Sequence, residues 1–241
     1  MKYVKDTLRQ IDAFRRKRNT DWRSLVVGPS GSGKSNFSLW AASLIAPDEN
    51  IRIVNTALDF LRAVNEIPQY GVIVYDEGLR GLMARQAMQT ENVEQIKALA
   101  QMRQNKNLIV FIITQDFSMM EKHVRSVACK GIFRCTFHDE QQGVVIGYGP
   151  KAIPQIKIQD GLTKYPNPDW VDQFPSIKDT AIWKKYEEME GQKKAESTME
   201  GIKKIEDVFH VKSFVFNLSQ RSAAIPPTTE VVGLLSGNNH V

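Results

Sequence analysis

Short apolar runs alternate along the chain with longer, more polar segments. The apolar runs lie at 24–28, 51–54, 71–75, 108–114 and 132–137. The segments between them that have helix-forming composition lie at 34–46, 57–66, 92–105 and 118–128. Strands that alternate with helices build a parallel sheet with helices on both faces. The runs 71–75 and 108–114 are almost continuously apolar, which is typical of central strands. The pattern therefore predicts an α/β fold.

The pattern changes after residue 137. The stretch HDEQQG, 138–143, predicts a hairpin turn into an antiparallel edge strand at 144–149. Beyond residue 150, YPNPDW and DQFPS predict proline-broken surface segments anchored by Trp170 and Phe174. Residues 179–207 are charged and mostly helical in composition. The predicted parts are a basic N-terminal arm (1–23), a core (24–150), a surface wrap with a helical extension (151–207) and a tail (208–241).

Charge and cysteine content narrow the class of protein. The net charge is +5, and the first 24 residues hold eight Lys or Arg against three Asp. Such an arm is either a solvated basic segment or a contact for a polyanion such as nucleic acid. The two cysteines argue against a disulfide scaffold and fit a reducing cytoplasm. No apolar run reaches the roughly 18 residues of a membrane span, and the N-terminus lacks the apolar stretch of a signal peptide.

A glycine-rich loop follows the first predicted strand. The stretch GPSGSGKS, 28–35, fits the pattern of a phosphate-binding loop and precedes a predicted helix. Glycines let backbone N–H groups turn toward phosphate oxygens, and the helix N-terminus adds a favourable dipole. Lys34 is expected to reach the β- and γ-phosphates of ATP, and Ser35 to ligate Mg²⁺. The predicted nucleotide-binding residues are Gly28, Pro29, Ser30, Gly31, Ser32, Gly33, Lys34, Ser35 and Asn36.

Polar residues end the two central strands. Asp76 and Glu77 follow the apolar run that ends at residue 75, at the edge of the sheet where α/β proteins bind ligands. We expect Asp76 to hold the Mg²⁺ of Ser35, directly or through a water, and Glu77 to polarise the attacking water. Gln115 follows the run 108–114 and is expected to contact the γ-phosphate. An acidic helix start with Asp76 as its cap is the structural alternative.

The cysteine and histidine positions do not form the pattern of a metal site or a catalytic set. Cys129, Cys135 and His138 lack a second ligand pair, and Cys135 and His138 would point to opposite faces of a strand. Buried structural cysteines are the better interpretation. The remaining histidines, His123, His210 and His240, show no partner pattern.

Together, the loop at 28–35, the Asp76–Glu77 pair and Gln115 resemble the RecA-like P-loop ATPases in which a sensor strand lies between the loop strand and the acidic strand. Within that class, QMRQNKNLIVFIITQDF, 101–117, resembles the FtsK-HerA branch, whose members show an arginine-bearing helix, a polar turn, an apolar strand and a Gln. Those proteins are ring-forming DNA pumps, among them viral genome-packaging ATPases. The pattern is also similar to the Zot-like ATPases of phages and archaeal mobile elements. The resemblance covers about residues 24–148.

The resemblance implies a motor that hydrolyses ATP and moves double-stranded DNA, in genome packaging of a virus or transfer of a mobile element. It implies a homo-oligomeric ring, a hexamer or pentamer, located in the cytoplasm or with the virion, and a capsid or membrane portal as a partner. Arg103 becomes the first candidate for an arginine finger supplied by a neighbouring subunit, followed by Arg85 and Arg125. Arg80 and Arg85, within 80–92, are candidates for DNA contacts, unless that segment is a packed linker.

Two other functions stay open at this stage. An AAA+-type replication ATPase or loader would need a helical lid with a sensor arginine after residue 150. A Zot-like assembly ATPase acting at a membrane would need an anchor that a partner supplies.

Overall fold

A mostly parallel sheet forms the centre of the fold. A computed structural model describes residues 1–76, 106–119, 129–137, 143–195, 198–199 and 202–203. The strands of the main sheet are β1 (Trp22–Val27), β2 (Ile51–Val54), β3 (Val72–Tyr75), β4 (Ile109–Thr114), β5 (Gly131–Thr136), β6 (Gly143–Tyr148) and β9 (Trp170–Phe174). Two further strands, β7 (Lys157–Gln159) and β8 (Leu162–Lys164), form a separate antiparallel hairpin.

The strand order is β2-β3-β4-β1-β5-β6-β9, in an open sheet. The first five strands run parallel, whereas β6 and β9 are antiparallel to their neighbours. The antiparallel addition after β5 is therefore confirmed, with the bounds of β6 one residue earlier than predicted. The order also places β4 between β1, which leads into the glycine loop, and β3, which leads to Asp76. This is the predicted arrangement of sensor, loop and acidic strands.

Helices cover both faces of the sheet. The helices with complete bounds are α1 (Lys2–Arg18), α2 (Lys34–Ser43) and α3 (Ala57–Glu66). Phe60 and Ala63 of α3 pack in one core cluster with Ile73 and Ile112. The other cluster joins α1 and α2 to the opposite face of the same strands. Every residue of β3 and β4 is buried, as the apolar runs predicted.

The predicted strands and helices that fall within the described residues lie within three residues of the observed bounds. Helix α3 and strand β2 have the predicted bounds, and Thr56 caps α3 by accepting a hydrogen bond from the N–H of Asp59. The predicted helix at 92–105 lies outside the described residues. So does most of the predicted helix at 118–128, whose described start is a short 3₁₀ helix, Phe117–Met119.

Strand β9 was not predicted. Residues 170–174 were expected to lie on the surface, but they form the edge of the sheet beside β6. Trp170 and Phe174 do anchor the segment, and Phe174 is 2% exposed. Prolines at 166, 168 and 175 lie on either side of the strand. Because prolines are rare inside sheets, they outweighed the short alternation of inward and outward residues as a sequence signal.

The N-terminal residues do not form a solvated arm. They fold into α1, whose Val4, Leu8 and Ile11 are buried in the core. The carboxylate of Asp172 in β9 accepts hydrogen bonds from the Met1 ammonium group and from the N–H of Val4, so it caps the helix. Val4, Leu8 and Ile11 follow the i, i+4, i+7 spacing of one helix face, so the sequence carried this signal, but the basic composition of 1–23 favoured a solvated segment instead.

Arg15 is the residue of α1 that departs most from the expected basic arm. It is 0% exposed and pairs with Asp12 at 2.6 Å. Its guanidinium donates to three backbone carbonyl oxygens at 3.0–3.2 Å, those of Tyr70, Gly71 and Asn107. This charge therefore ties α1 to the starts of β3 and β4 and is not available to a polyanion.

The chain divides into two compact units, residues 1–186 and 187–241. The first contains the sheet, and residues 181–186 at its end are helical. In the second, residues 187–195 are helical. The predicted boundaries at residues 23, 150 and 207 stay predictions. Among the described residues, no helix combines the length and the apolar character that a membrane span requires.

Candidate nucleotide site

The loop between β1 and α2 has the backbone shape of a phosphate cradle. Gly28, Gly31 and Gly33 have φ angles of 152°, 79° and 81°, in the region that favours glycine. A Cβ on Gly28 would overlap the carbonyl oxygen of Cys135 at the end of β5. Glycine at this position therefore lets the loop turn tightly against the neighbouring strand.

The loop offers donors that suit a polyphosphate. Ser32 is 3% exposed, and its Oγ has no hydrogen-bond partner among the described residues. Helix α2 begins at Lys34, and its N-cap Gly33 has no side chain that could cap the first N–H groups. Such groups bind anions well. A buried hydroxyl and an uncapped helix start beside a glycine-lined loop fit the phosphates of a nucleotide.

Lys34 lies over its own loop. Its Nζ donates to the carbonyl oxygen of Pro29 at 2.8 Å. Burial holds the pKa of the Lys34 ammonium below its usual value, and the nearby carboxylate of Asp76 offsets only part of this effect. The loop thus already positions one positive charge for phosphate binding.

Ser35 and Asp76 meet across the edge of the sheet. The Ser35 hydroxyl donates to Oδ2 of Asp76 at 2.7 Å. Asp76 follows β3, is 6% exposed, and its N–H donates to the carbonyl oxygen of Val54. A hydroxyl and a carboxylate at this distance are the oxygen donors that Mg²⁺ uses beside nucleotide phosphates. The two residues predicted to hold the cation are therefore adjacent.

Gln115 lies beside the glycine loop. Its carbonyl oxygen accepts a hydrogen bond from the N–H of Gly28 at 3.2 Å, and its side chain is exposed. The structure thus brings Gln115 to the same edge as Ser35 and Asp76, and its contact with a γ-phosphate stays a prediction.

The next residue, Asp116, connects this edge to the β7–β8 hairpin. Its carboxylate accepts hydrogen bonds from the Thr163 hydroxyl and the Ser118 N–H, each at 2.6 Å. Burial raises the pKa of Asp116, but these hydrogen bonds outweigh burial and hold it below its usual value. The segment that carries Gln115 is therefore tethered to β8.

Asn36 has a structural role that its motif position did not indicate. Its amide nitrogen donates to the carbonyl oxygen of Pro175 at 2.7 Å, and its amide oxygen accepts from the N–H of Ile177 at 2.9 Å. The side chain therefore holds the segment after β9 against the start of α2. The predicted nucleotide contact of Asn36 stays a prediction.

Three aromatic residues near the loop were missed as site residues. Phe174 packs behind Gly33, and Phe137 is 64% exposed beside Gly31. The third is Tyr186, whose hydroxyl oxygen lies 2.7 Å from Asp76 Oδ2 and 3.1 Å from Ser35 Oγ and can donate its proton to either. None of the three belongs to a motif, and only tertiary structure brings them to the loop.

Cys129 and Cys135 are buried free thiols, as expected. Burial raises the pKa of Cys129 to about 12 and raises that of Cys135 as well. In the part of the chain that the structure describes, no three Cys, His, Asp or Glu side chains are grouped as a metal site. The following predicted functional residues lie outside the described residues: Glu77, Arg80, Arg85, Arg103 and Arg125.

The chemistry of the site follows from this geometry. The loop presents donors and one ammonium group to a polyphosphate, and the Ser35–Asp76 pair presents oxygens to its cation. A bound Mg²⁺ would neutralise charge on the phosphates. The sheet order, the glycine loop and the hydroxyl–carboxylate pair are those of a P-loop nucleotide-binding fold.

No protein-family model and no curated protein matches the chain. Among solved structures, it is similar to the N-terminal domain of zonular occludens toxin from Neisseria meningitidis, with 15% identity, a TM-score of 0.40, and 62% of this chain and 95% of that chain covered. It is also similar to the genome packaging NTPase B204 from Sulfolobus turreted icosahedral virus 2 in complex with AMPPCP, with 11% identity, a TM-score of 0.41, and 65% and 98% covered. The flagellar accessory protein FlaH from Methanocaldococcus jannaschii matches at 11% identity with a TM-score of 0.30, covering 65% and 91%. The fold assignment rests on the sheet order and loop of this chain.

Proposed function

We propose that the chain hydrolyses Mg²⁺-ATP to move double-stranded DNA as a homo-oligomeric ring. One observation carries the catalytic part of this proposal, which is the 2.7 Å hydrogen bond from Ser35 to Asp76 beside the glycine loop. Glu77 follows Asp76 in the chain and is the proposed base for the attacking water. A base at this position has no use in a protein that only binds nucleotide.

The position of β4 supports a motor over a passive nucleotide carrier. Gln115 lies at the carboxyl end of β4, next to Gly28, and Asp116 ties that end to the β7–β8 hairpin. If loss of the γ-phosphate displaced Gln115, the hydrogen bond between Asp116 and Thr163 would therefore transmit that displacement to the β7–β8 hairpin. Lys157 and Lys164 face each other across that hairpin, and its net basic character suits a polyanionic partner.

The DNA and ring parts of the proposal depend on the sequence resemblance to the FtsK-HerA branch and on the basic net charge. Genome packaging or transfer of a mobile element is the proposed process, with a capsid or membrane portal as the docking partner. The proposed arginine finger is Arg103, which a neighbouring subunit would place at the γ-phosphate.

The direct test is steady-state phosphate release from Mg²⁺-ATP, with and without duplex DNA. The proposal expects release that rises several-fold with duplex DNA and less with single-stranded DNA of equal nucleotide concentration. Glu77→Gln should retain nucleotide binding and lose turnover. Release that is indifferent to both kinds of DNA would contradict the motor and leave the ATPase standing.

A mixing experiment tests the shared site. Lys34→Ala removes the lysine that binds the phosphates but keeps the proposed arginine finger. Arg103→Ala keeps that lysine and removes the arginine finger. Each variant alone should be inactive, and an equimolar mixture should regain activity because some interfaces combine an intact loop with an intact finger. A mixture as inactive as its components would show that Arg103 does not act across an interface.

The structure gives the AAA+ alternative less support. Residues 151–174 form short turns and the strands β7, β8 and β9, and the helical residues 181–195 that follow contain no arginine to act as the sensor of a lid. The Zot-like assembly alternative shares the ATPase chemistry and differs in its partner. Activation by a membrane protein, with no effect of DNA, would favour it.

A further inference from the structure

The segment after β9 returns to the nucleotide site. Asn36 holds its backbone at Pro175 and Ile177. The Thr180 hydroxyl then donates to the carbonyl oxygen of Ile177 and accepts from the N–H of Trp183, so it caps the helix that begins at residue 181. Ile182 is 6% exposed and packs in the core. This anchoring positions the first turns of the helix beside α2.

Tyr186 is the residue that this helix presents to the site. Its hydroxyl lies 2.7 Å from Oδ2 of Asp76 and 3.1 Å from Oγ of Ser35, and those two oxygens are themselves 2.7 Å apart. The three oxygens form a closed triangle. A tyrosine hydroxyl carries one proton, so it serves one of these acceptors at a time while occupying the space beside both.

We propose that Tyr186 belongs to the cation site and competes with the hydrated Mg²⁺ that accompanies the nucleotide. In the nucleotide-free protein the Tyr186 hydroxyl occupies the cation position beside Ser35 and Asp76, and binding of Mg²⁺-ATP displaces this hydroxyl. The inference rests on the proposed function, in which Ser35 and Asp76 hold the cation.

The competition between Tyr186 and Mg²⁺ follows from the limited number of lone pairs on the oxygens of Ser35 and Asp76. Ser35 uses its proton toward Asp76, and Tyr186 engages an Oγ lone pair that a cation would use. When Tyr186 instead donates to Oδ2 of Asp76, that oxygen accepts from both hydroxyls. Mg²⁺ requires octahedral oxygen ligands at about 2.0–2.1 Å and retains several waters. The tyrosine oxygen takes up the space and the acceptor sites that those waters need.

The aromatic ring strengthens the closed arrangement. Its centroid lies 5.1 Å from that of Trp183 on the same helix. This packing preorganises the hydroxyl and also supplies a fluorescent reporter within contact distance of Tyr186. Because a ligand binds more weakly when only a fraction of the protein is competent, closure by Tyr186 should lower the apparent affinity for Mg²⁺-nucleotide.

The test is the affinity of the full chain for a fluorescent, non-hydrolysable ATP analogue, measured with Mg²⁺ and with EDTA. Tyr186→Phe keeps the ring and removes the hydroxyl, so it should tighten binding in Mg²⁺ by about three- to tenfold, the equivalent of one hydrogen bond. In EDTA its affinity should match that of the wild type within about twofold. Tyr3→Phe, which removes an exposed hydroxyl from α1, is the matched control and should change neither value.

Trp183 fluorescence gives a second readout. The contribution of Trp183 is the difference in emission between the wild type and Trp183→Phe. Mg²⁺-nucleotide should change this difference, and nucleotide in EDTA should leave it unchanged. Equal or weaker binding of Tyr186→Phe in Mg²⁺, or equal tightening in EDTA, overturns the inference.

The outcomes also separate this inference from the proposed function. If wild type binds with Mg²⁺ dependence that Asp76→Asn abolishes, while Tyr186→Phe behaves as wild type, only the role of Tyr186 fails. If the affinities of wild type and Tyr186→Phe for the analogue are both the same in Mg²⁺ and in EDTA, the assignment of Ser35 and Asp76 to the cation is wrong, and the proposed competition by Tyr186 is wrong as well.

Discussion

The Ser35 hydroxyl donates to the Asp76 carboxylate at 2.7 Å, which joins the start of α2 to the end of β3. Strand β4 lies between β1 and β3, so the glycine loop and the acidic residue reach each other across the end of an intervening strand. Parallel strands make this contact possible because their carboxyl ends share one edge. The pair gives the site a defined place for a cation.

Asp76→Asn should remove the effect of Mg²⁺ on nucleotide binding and lower hydrolysis by about 100-fold or more, because a carboxylate that holds the cation becomes a neutral amide. Isothermal titration with a non-hydrolysable analogue, with and without Mg²⁺, and phosphate release measure the two effects. Asp48→Asn, which neutralises an exposed carboxylate, is the control. Unchanged Mg²⁺ dependence in Asp76→Asn would contradict the cation assignment.

Gly28→Ala should lower the free energy of unfolding by about 1–3 kcal/mol, because φ is 152° and a Cβ would overlap the carbonyl oxygen of Cys135. Urea denaturation measures the change. Gly161 also has a positive φ, 76°, but a Cβ there would meet no atom within 4 Å. Gly161→Ala should therefore lower the free energy of unfolding by less than Gly28→Ala does. Equal losses in the two variants would mean that overlap with β5 does not constrain the loop.

Arg15→Ala should lower the free energy of unfolding by about 3–5 kcal/mol, since Asp12 and three backbone carbonyls lose a fully buried partner. The neighbouring Arg16, 47% exposed, also pairs with Asp12 and provides the control. Arg16→Ala should cost about 0–1 kcal/mol. Similar losses in both variants would show that α1 does not depend on the buried guanidinium.

The Asp116–Thr163 hydrogen bond should give stability a dependence on acid pH. The folded pKa of Asp116 lies below the ordinary value of about 3.9, so its contribution is present above that value and is lost as the pH falls through the folded pKa. Asp116→Asn should cost about 1 kcal/mol at pH 7, a value reduced for solvent screening, and progressively less below about pH 4. Asp160→Asn in the exposed hairpin turn is the control. A loss that persists undiminished in acid would exclude the carboxylate as its source.

Local pattern predicted the parts of the fold that local forces decide. The apolar runs of β3 and β4 and the bounds of α3 follow from hydrophobicity and a helix cap. The glycine loop, Ser35 and Asp76 were predicted because phosphate and cation binding restrict residue types at fixed spacing.

Residues whose role depends on distant partners were not predicted. Arg15 bonds to carbonyls 55 to 92 positions away, and Tyr186 bonds to Asp76 110 positions away. Strand β9 depends on β6 for its pairing. Such contacts leave no periodic signal in a single sequence, so the buried role of Arg15, the site contact of Tyr186 and the edge strand β9 were not predicted.

The glycine loop and the Ser35–Asp76 pair are proposed to form a site that hydrolyses ATP. The decisive measurement is steady-state phosphate release from Mg²⁺-ATP in the presence of duplex DNA, compared between the wild-type chain and Lys34→Ala. The wild type should release phosphate and Lys34→Ala should not, and both proteins should unfold at the same urea concentration. Equal release by both proteins, or none by either, would contradict this proposal.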